Sequence, residues 1–197
     1  MSAATVFAAG PSVDQIYHSP ASFSYEPHSG PIYGIAFSPF HRNVFLSVAT
    51  DSSVRLFNVL QPKPLLVTEP CSGTLFSASW SPSRPLVFAV GASDGHLYVY
   101  DLKRNKGKPD VSLKVTTDKT PVYAVAFNPK EPSLVATADG QGFVKIWRLS
   151  GALSEMAPRE QEAFDKLAGS REEGARGDEK AEGDEEAKKE DTDFFRY

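Results

Sequence analysis

Cysteine is almost absent from this chain: one residue, Cys71, in 197. An internal disulfide and a cysteine-built zinc site are thereby excluded, and so sparing a use of thiols suits a reducing compartment such as the cytosol. Long apolar runs are missing as well. Nothing approaches the roughly 20 consecutive apolar residues of a membrane-spanning helix, and Met1 to Gly10 lacks the basic start and apolar centre of a secretory signal. His18, His28, His41 and His96 are scattered, without metal-ligand spacing, so no metal site is expected. Asp139-Gly-Gln-Gly142 lacks the Lys-Ser/Thr and the helix of a phosphate loop and reads as a tight hairpin turn. With no Gly-x-Ser-x-Gly and no serine–histidine pairing, hydrolase chemistry has no visible nucleophile. The expectation is a protein without catalytic residues, cofactor or small-molecule substrate.

Charge of one sign is also scarce in most of the chain. Residues 1–150 hold 13 basic and 10 acidic side chains, whereas residues 151–197 hold 8 and 15, so the net charge of −4 belongs to the end of the sequence. A body so nearly neutral carries no electrostatic footprint for nucleic acid, and no membrane insertion is expected.

What the chain does contain is one phrase said three times. The copies begin Pro31-Ile-Tyr-Gly-Ile-Ala-Phe-Ser-Pro39, Thr74-Leu-Phe-Ser-Ala-Ser-Trp-Ser-Pro82 and Pro121-Val-Tyr-Ala-Val-Ala-Phe-Asn-Pro129, and close on Phe57, Tyr100 and Trp147. Their final prolines stand 43 and then 47 residues apart, and each closing aromatic lies eighteen residues after its proline. Constant units with variable joints are the mark of a solenoid or propeller. Within each copy, apolar segments rich in Val, Ile, Phe and Tyr are separated by Gly, Ser, Asp and Pro, which is strand punctuation. Val44–Val48, Leu86–Val90 and Leu134–Thr137 are nearly continuous apolar runs, as expected of inner strands packed on both faces. Val54–Phe57, Leu97–Tyr100 and Val144–Trp147 alternate more openly and fit strands nearer a rim, while Leu65–Val67 and Val111–Leu113 supply one more strand each.

Four short strands per 40 to 50 residues resemble the WD repeat, whose copies form the blades of a β-propeller. The resemblance covers about residues 22–150, as three repeats of about 22–60, 61–103 and 104–150. It implies a hydrogen-bonded network of His, Ser/Thr, Asp and Trp in each blade. Counted from the proline, the corresponding positions are His28, Ser47, Asp51 and Phe57; then Cys71, Val90, Asp94 and Tyr100; then Asp118, Thr137, Gln141 and Trp147. No copy is complete, and Phe57 cannot donate the indole hydrogen bond, so these blades are expected to rely on apolar packing. Residues 5–18 echo the Val87-Phe-Ala-Val-Gly91 and His96–Val99 strands and read either as the last two strands of an earlier blade, within a 1–21 remnant and linker, or as an irregular leader. Propellers close with about four to eight blades, so three repeats and a remnant are expected to be part of a larger ring. The fold class expected is all-β, a partial propeller.

Particular phrases narrow the resemblance. Gly30-Pro-Ile-Tyr33, Ser38-Pro-Phe-His-Arg-Asn-Val-Phe-Leu-Ser47, Trp80-Ser-Pro-Ser-Arg-Pro-Leu-Val-Phe-Ala89, Asp94-Gly-His-Leu-Tyr-Val-Tyr-Asp-Leu102 and Pro158-Arg-Glu-Gln-Glu-Ala-Phe-Asp-Lys-Leu167 look like dynein intermediate chains, most of all the dynein-2 branch of intraflagellar transport. Axonemal intermediate chains share most of the pattern. The resemblance implies a non-catalytic scaffold whose propeller docks on the dynein heavy chain, among other intermediate and light chains, in cytoplasm, cytoskeleton and cilium. A WD-repeat adaptor of another complex, such as a ubiquitin ligase substrate receptor, is the competing reading. Lys103, Arg104, Lys106 and Lys108 form a basic loop that reads either as a contact for an acidic partner surface or as an ordinary solvated loop.

Past Ser150 the pattern changes. Pro158 suits a first helical position, Glu160 and Glu162 favour the positive end, and Gly169 suits the stop, so residues 151–169 are expected to hold a short helix. Leu153, Met156, Phe164 and Leu167 offer it an apolar stripe. Residues 170–193 are mostly Glu, Lys, Ala, Gly and Asp, before Phe194-Phe-Arg-Tyr197, and 170–197 are expected to be a disordered acidic tail.

Overall fold

The computed structural model describes residues 24–169. The expectations for residues 1–21 and 170–197 lie outside the described residues. Each copy of the phrase folds into a separate antiparallel sheet. The first is β1 (Ile32–Phe37), β2 (Val44–Ala49), β3 (Val54–Asn58) and β4 (Leu66–Thr68), in that spatial order. The second is β5 (Leu75–Trp80), β6 (Val87–Ala92), β7 (His96–Asp101) and β8 (Val111–Lys114), again in chain order. The third has three strands among the described residues, β9 (Val122–Phe127), β10 (Leu134–Asp139) and β11 (Val144–Arg148).

The same register recurs: Ile35 opposes Ser47, Ala78 opposes Val90 and Val125 opposes Thr137. The polar-proline step makes the turn after the first strand. The amides of Ser38, Ser81 and Asn128 each donate to the carbonyl at the start of the next strand, at 2.9 to 3.0 Å.

The sheets stack like blades, and strand alternation decides which neighbour each side chain meets. From β6 and β7, Phe88, Val90, Tyr98 and Tyr100 join Val44, Leu46, Val48 and Leu56 of the first sheet in one core. Val87, Ala89, Leu97 and Val99 join Val122, Val125, Phe127 and Val135 of the third sheet in another. This is why the middle blade reads as a continuous apolar run: both faces are covered. Glycine lets the inner edges approach. A Cβ on Gly34 would lie 3.3 Å from the Ala78 amide nitrogen, and one on Gly91 would lie 2.9 Å from the Val122 carbonyl oxygen. Between the second and third blades the inner strands are also hydrogen-bonded: the amides of Val125 and Phe127 donate to the hydroxyl oxygens of Ser77 and Ser79, at 3.1 and 3.2 Å.

After β11 the chain turns back across the stack through α1 (Gly151–Ser154) and α2 (Glu160–Gly169). The helical segment is thus two short helices, and α2 starts two residues after Pro158. Arg159 takes the left-handed φ of +58°, and the Glu160 carboxylate folds back to accept the Ala157 amide at 2.9 Å, which fixes the start there. Leu153 enters the core between blades two and three, while Phe164 and Leu167 enter the core between blades one and two. Met156 leaves the expected stripe: the link between the helices turns it outward, half exposed.

The outward faces of the first and third blades keep Ile35, Phe37, Val144 and Ile146 about 60 to 70% exposed. Contiguous apolar sheet faces of this kind drive association. The chain expressed alone is therefore expected to self-associate, and Ile35→Glu with Ile146→Glu to reduce that association, as read by light scattering. A monodisperse, cooperatively melting monomer of the unaltered chain would contradict this.

Candidate docking surfaces and the repeat network

In the first blade, the His28 ring lies 3.0 Å from an Asp51 carboxylate oxygen through Nδ1 and 2.7 Å from the Ser47 hydroxyl through Nε2. Ser53 adds its hydroxyl to Asp51 at 2.7 Å, and the amides of Ser29 and Ser53 donate to the same carboxylate. Phe57 stays outside this set and stacks on Phe45, ring centres 5.3 Å apart. Burial pushes the Asp51 carboxyl up, but the Ser53 hydroxyl, the two amides and His28 outweigh it and hold the group well below the usual carboxylate range.

The third blade ties the other half of the network. Trp147 donates its indole N–H to the Thr137 hydroxyl at 2.9 Å, and Gln141 donates its amide to Asp118. A carboxylate that position-matching passes over, Asp139, closes the β10–β11 turn: it accepts the amides of Gln141 and Phe143 and pairs with Lys145 at 3.1 Å. The Asp139–Gly142 segment is accordingly a turn, with Gly142 at φ +87°.

The second blade departs furthest. Val90 is fully buried, and Asp94 accepts the hydroxyl of Tyr98 at 2.6 Å rather than any bond from Tyr100. Tyr100 stacks on Phe88 and shares a hydrogen bond with Thr68 of the first blade at 3.1 Å; burial raises its phenol to about 12. Cys71 is half-buried, its thiol weakly directed to the Gly73 carbonyl and pushed up by burial. Each blade thus holds a different fragment of one network.

The strongest polar constellation lies elsewhere. Arg84, on the β5–β6 turn, has its side chain only 2% exposed. Its Nε bonds Glu160 of α2 at 2.9 Å, and its Nη1 bonds Asp101 at the end of β7 at 2.9 Å and the Ala152 carbonyl of α1. Nearby, Ser83 donates to the Ser154 carbonyl at 2.6 Å, and Asn58 donates to the Ala168 carbonyl at 3.1 Å. Asn58 and Asp101 each follow a closing aromatic: Asn58 holds α2 directly, and Asp101 holds Arg84, which bonds both helices. Position-matching within the repeat missed it because Arg84 has His41 and Glu131 at the corresponding places, and Glu160 lies outside every copy.

Two surfaces offer docking geometry. The open face of the first blade forms an apolar trough of about 340 Å³ lined by Tyr25, Ile35, Phe37, Phe45 and Phe57. The basic loop is exposed: Arg104 pairs with Asp110 at 3.0 Å, Lys103 donates to the Pro158 carbonyl at 2.8 Å, and no ion pair involves Lys106 or Lys108 among the described residues. No group of three or more potential metal ligands occurs among the described residues, and no described helix is long and apolar enough to cross a membrane.

Antiparallel blades of this size, joined by histidine, carboxylate and hydroxyl in one and by indole and hydroxyl in another, define a WD-repeat protein, here as an open partial propeller. The family model for the dynein axonemal intermediate chain 3 WD40 domain matches residues 12–149. The chain belongs to the dynein intermediate chain family. Over 150 residues it is 46% identical to cytoplasmic dynein 2 intermediate chain 2 of Homo sapiens, covering 76% of this chain and 28% of that one. The corresponding protein of Mus musculus is 44% identical over 76% of this chain and 28% of its own. The 70 kDa intermediate chain of the flagellar outer arm dynein of Chlamydomonas reinhardtii is 32% identical over 68% of this chain and 23% of its own. The chain therefore spans 23 to 28% of the length of these relatives.

Two expectations follow. Glu160→Ala strands a buried guanidinium and is expected to cost about 3–5 kcal/mol in urea unfolding. It should also open residues 155–167 to trypsin at Arg159 and Lys166; unchanged stability and cleavage would show the pair to be dispensable. For Asp51 the folded-state value lies below the unfolded 3.8, so its stabilisation is fully present above that pH and is lost as pH falls from there. Asp51→Asn should flatten the acid limb of the melting temperature against pH, and an equally steep limb in the variant would refute this role.

Proposed function

We propose that this chain is a non-catalytic scaffold segment of a dynein-2 motor, its blades docking on the dynein heavy chain and supporting minus-end-directed, retrograde intraflagellar transport and cilium assembly. The observation that carries the reading is the 46% identity, across the blades, to an intermediate chain of cytoplasmic dynein 2, against 32% for a flagellar outer arm chain. The candidate site agrees in kind. Among the described residues it is a set of exposed sheet faces and loops, and such surfaces recognise protein. The partners expected are the heavy chain and the other intermediate and light chains of the complex, in cytoplasm, cytoskeleton and cilium. The basic loop of Lys103, Arg104, Lys106 and Lys108 is the stretch proposed to contact an acidic partner surface.

Affinity capture of the tagged chain from ciliated cells is expected to recover dynein-2 heavy chain and light chains. Recovery of a ubiquitin ligase scaffold, or of axonemal heavy chain alone, would overturn the assignment. Arg104→Glu with Lys108→Glu should lower heavy-chain recovery severalfold, and unchanged recovery would remove the loop from the interface.

A further inference from the structure

Between α2 and the β7–β8 connection lies a groove of about 360 Å³ that the reading above does not use. Its floor is apolar, made by Leu86, Leu102, Ala163 and Leu167, and its rim carries Lys103, Lys106 and Lys166. All three lysines are exposed, and among the described residues none of them forms an ion pair. Three like charges gathered around an apolar floor are mutually repulsive and call for an anionic occupant that also has something apolar to bury.

The chain holds such a segment in its sequence, directly after α2. Lys166 and Leu167 are in the last turn of α2, and residues 170–197 continue from Gly169 with eleven acidic and six basic side chains, a net charge of −5. Its carboxylates cluster at Asp184-Glu-Glu186 and Glu190-Asp191, just before the aromatics Phe194, Phe195 and Tyr197. We propose that residues 170–197 fold back on their own chain, their carboxylates meeting Lys103, Lys106 and Lys166 and an aromatic side chain covering the apolar floor. Reach is no obstacle: a chain of some 25 residues with random-coil dimensions spans about 25–30 Å end to end. The tether also sets an effective concentration of order millimolar, which an untethered acidic partner of equal affinity must exceed to compete.

The test uses the full chain, mixed in equal parts unlabelled and ¹⁵N-labelled, with a zero-length carbodiimide that joins lysine amines to carboxylates as amides. Mass spectrometry is expected to find isotopically unmixed links from Lys103, Lys106 or Lys166 to carboxylates within 178–193. These links should fall severalfold at about 0.5 M salt, where the Debye length drops to roughly 4 Å. The exposed substitution Lys166→Glu should lower the links at Lys103 and Lys106 severalfold, leaving those at exposed Lys63 and Lys130 unchanged. Links spread evenly over all exposed lysines would overturn the proposal. So would predominantly mixed-isotope links, which would place the segment on a second copy. Neither result bears on dynein-2 membership, which capture from cells tests separately.

Discussion

A single guanidinium fastens the two helices to the middle blade. Arg84 sits on a turn of the middle blade and is bonded at once to the end of β7, to α1 and to the first residue of α2. A buried charge is tolerated only when its hydrogen bonds are met, and a buried ion pair adds little to stability over an apolar replacement of the same shape. What it supplies here is placement. Glu160 is fully buried and can be satisfied in one position only, so α2 cannot slide along the blades without leaving charge unpaired. With α2 fixed, Phe164 settles against Trp80 and His41, ring centres 5.8 and 6.2 Å away, and the same helix reaches from the second blade to the first.

The blades themselves depend on alternation more than on their polar network. Each of the three keeps a different part of the histidine, hydroxyl, carboxylate and indole set, yet all three hold the same register. The middle blade, whose network is most eroded, is the most completely buried. Stacked aromatics such as Tyr100 on Phe88, 4.9 Å between centres, occupy the place an indole donor would take. Packing of large rings against β-branched neighbours supplies stabilisation of the same order as a hydrogen bond, about 1 kcal/mol. The network can therefore decay piecemeal while the sheet persists.

Most of this architecture was legible in the sequence because its signals are local. Period-two alternation, the proline step and the eighteen-residue interval to the closing aromatic mark the strands, and a fixed count from proline finds His28, Ser47 and Asp51 as neighbours. The Arg84–Glu160 pair was not legible, since its members lie 76 residues apart and neither belongs to a local pattern. The start of α2 was misread for a related reason. Pro158 has the right preference for a first turn, but the carboxylate of Glu160 is committed to a tertiary bond, and tertiary contacts outrank propensity. Tyr98 taking the bond to Asp94 was equally hidden, because either of two tyrosines in β7 could have reached it by composition alone.

The junctions between blades are not alike, and the difference is mechanical. At their inner strands blades one and two meet through apolar side chains, with no described hydrogen bond between β1 and β5; their described hydrogen bonds, from Thr68 to Tyr100 and to the Gly107 carbonyl, lie at the outer strands. Blades two and three are in addition laced by Ser77 and Ser79 to the amides of Val125 and Phe127. Under tension, apolar contact yields gradually because it has no preferred direction, whereas short directional bonds hold and then break together. At the inner strands, a pull along the stack meets a compliant joint on one side of the middle blade and a brittle one on the other.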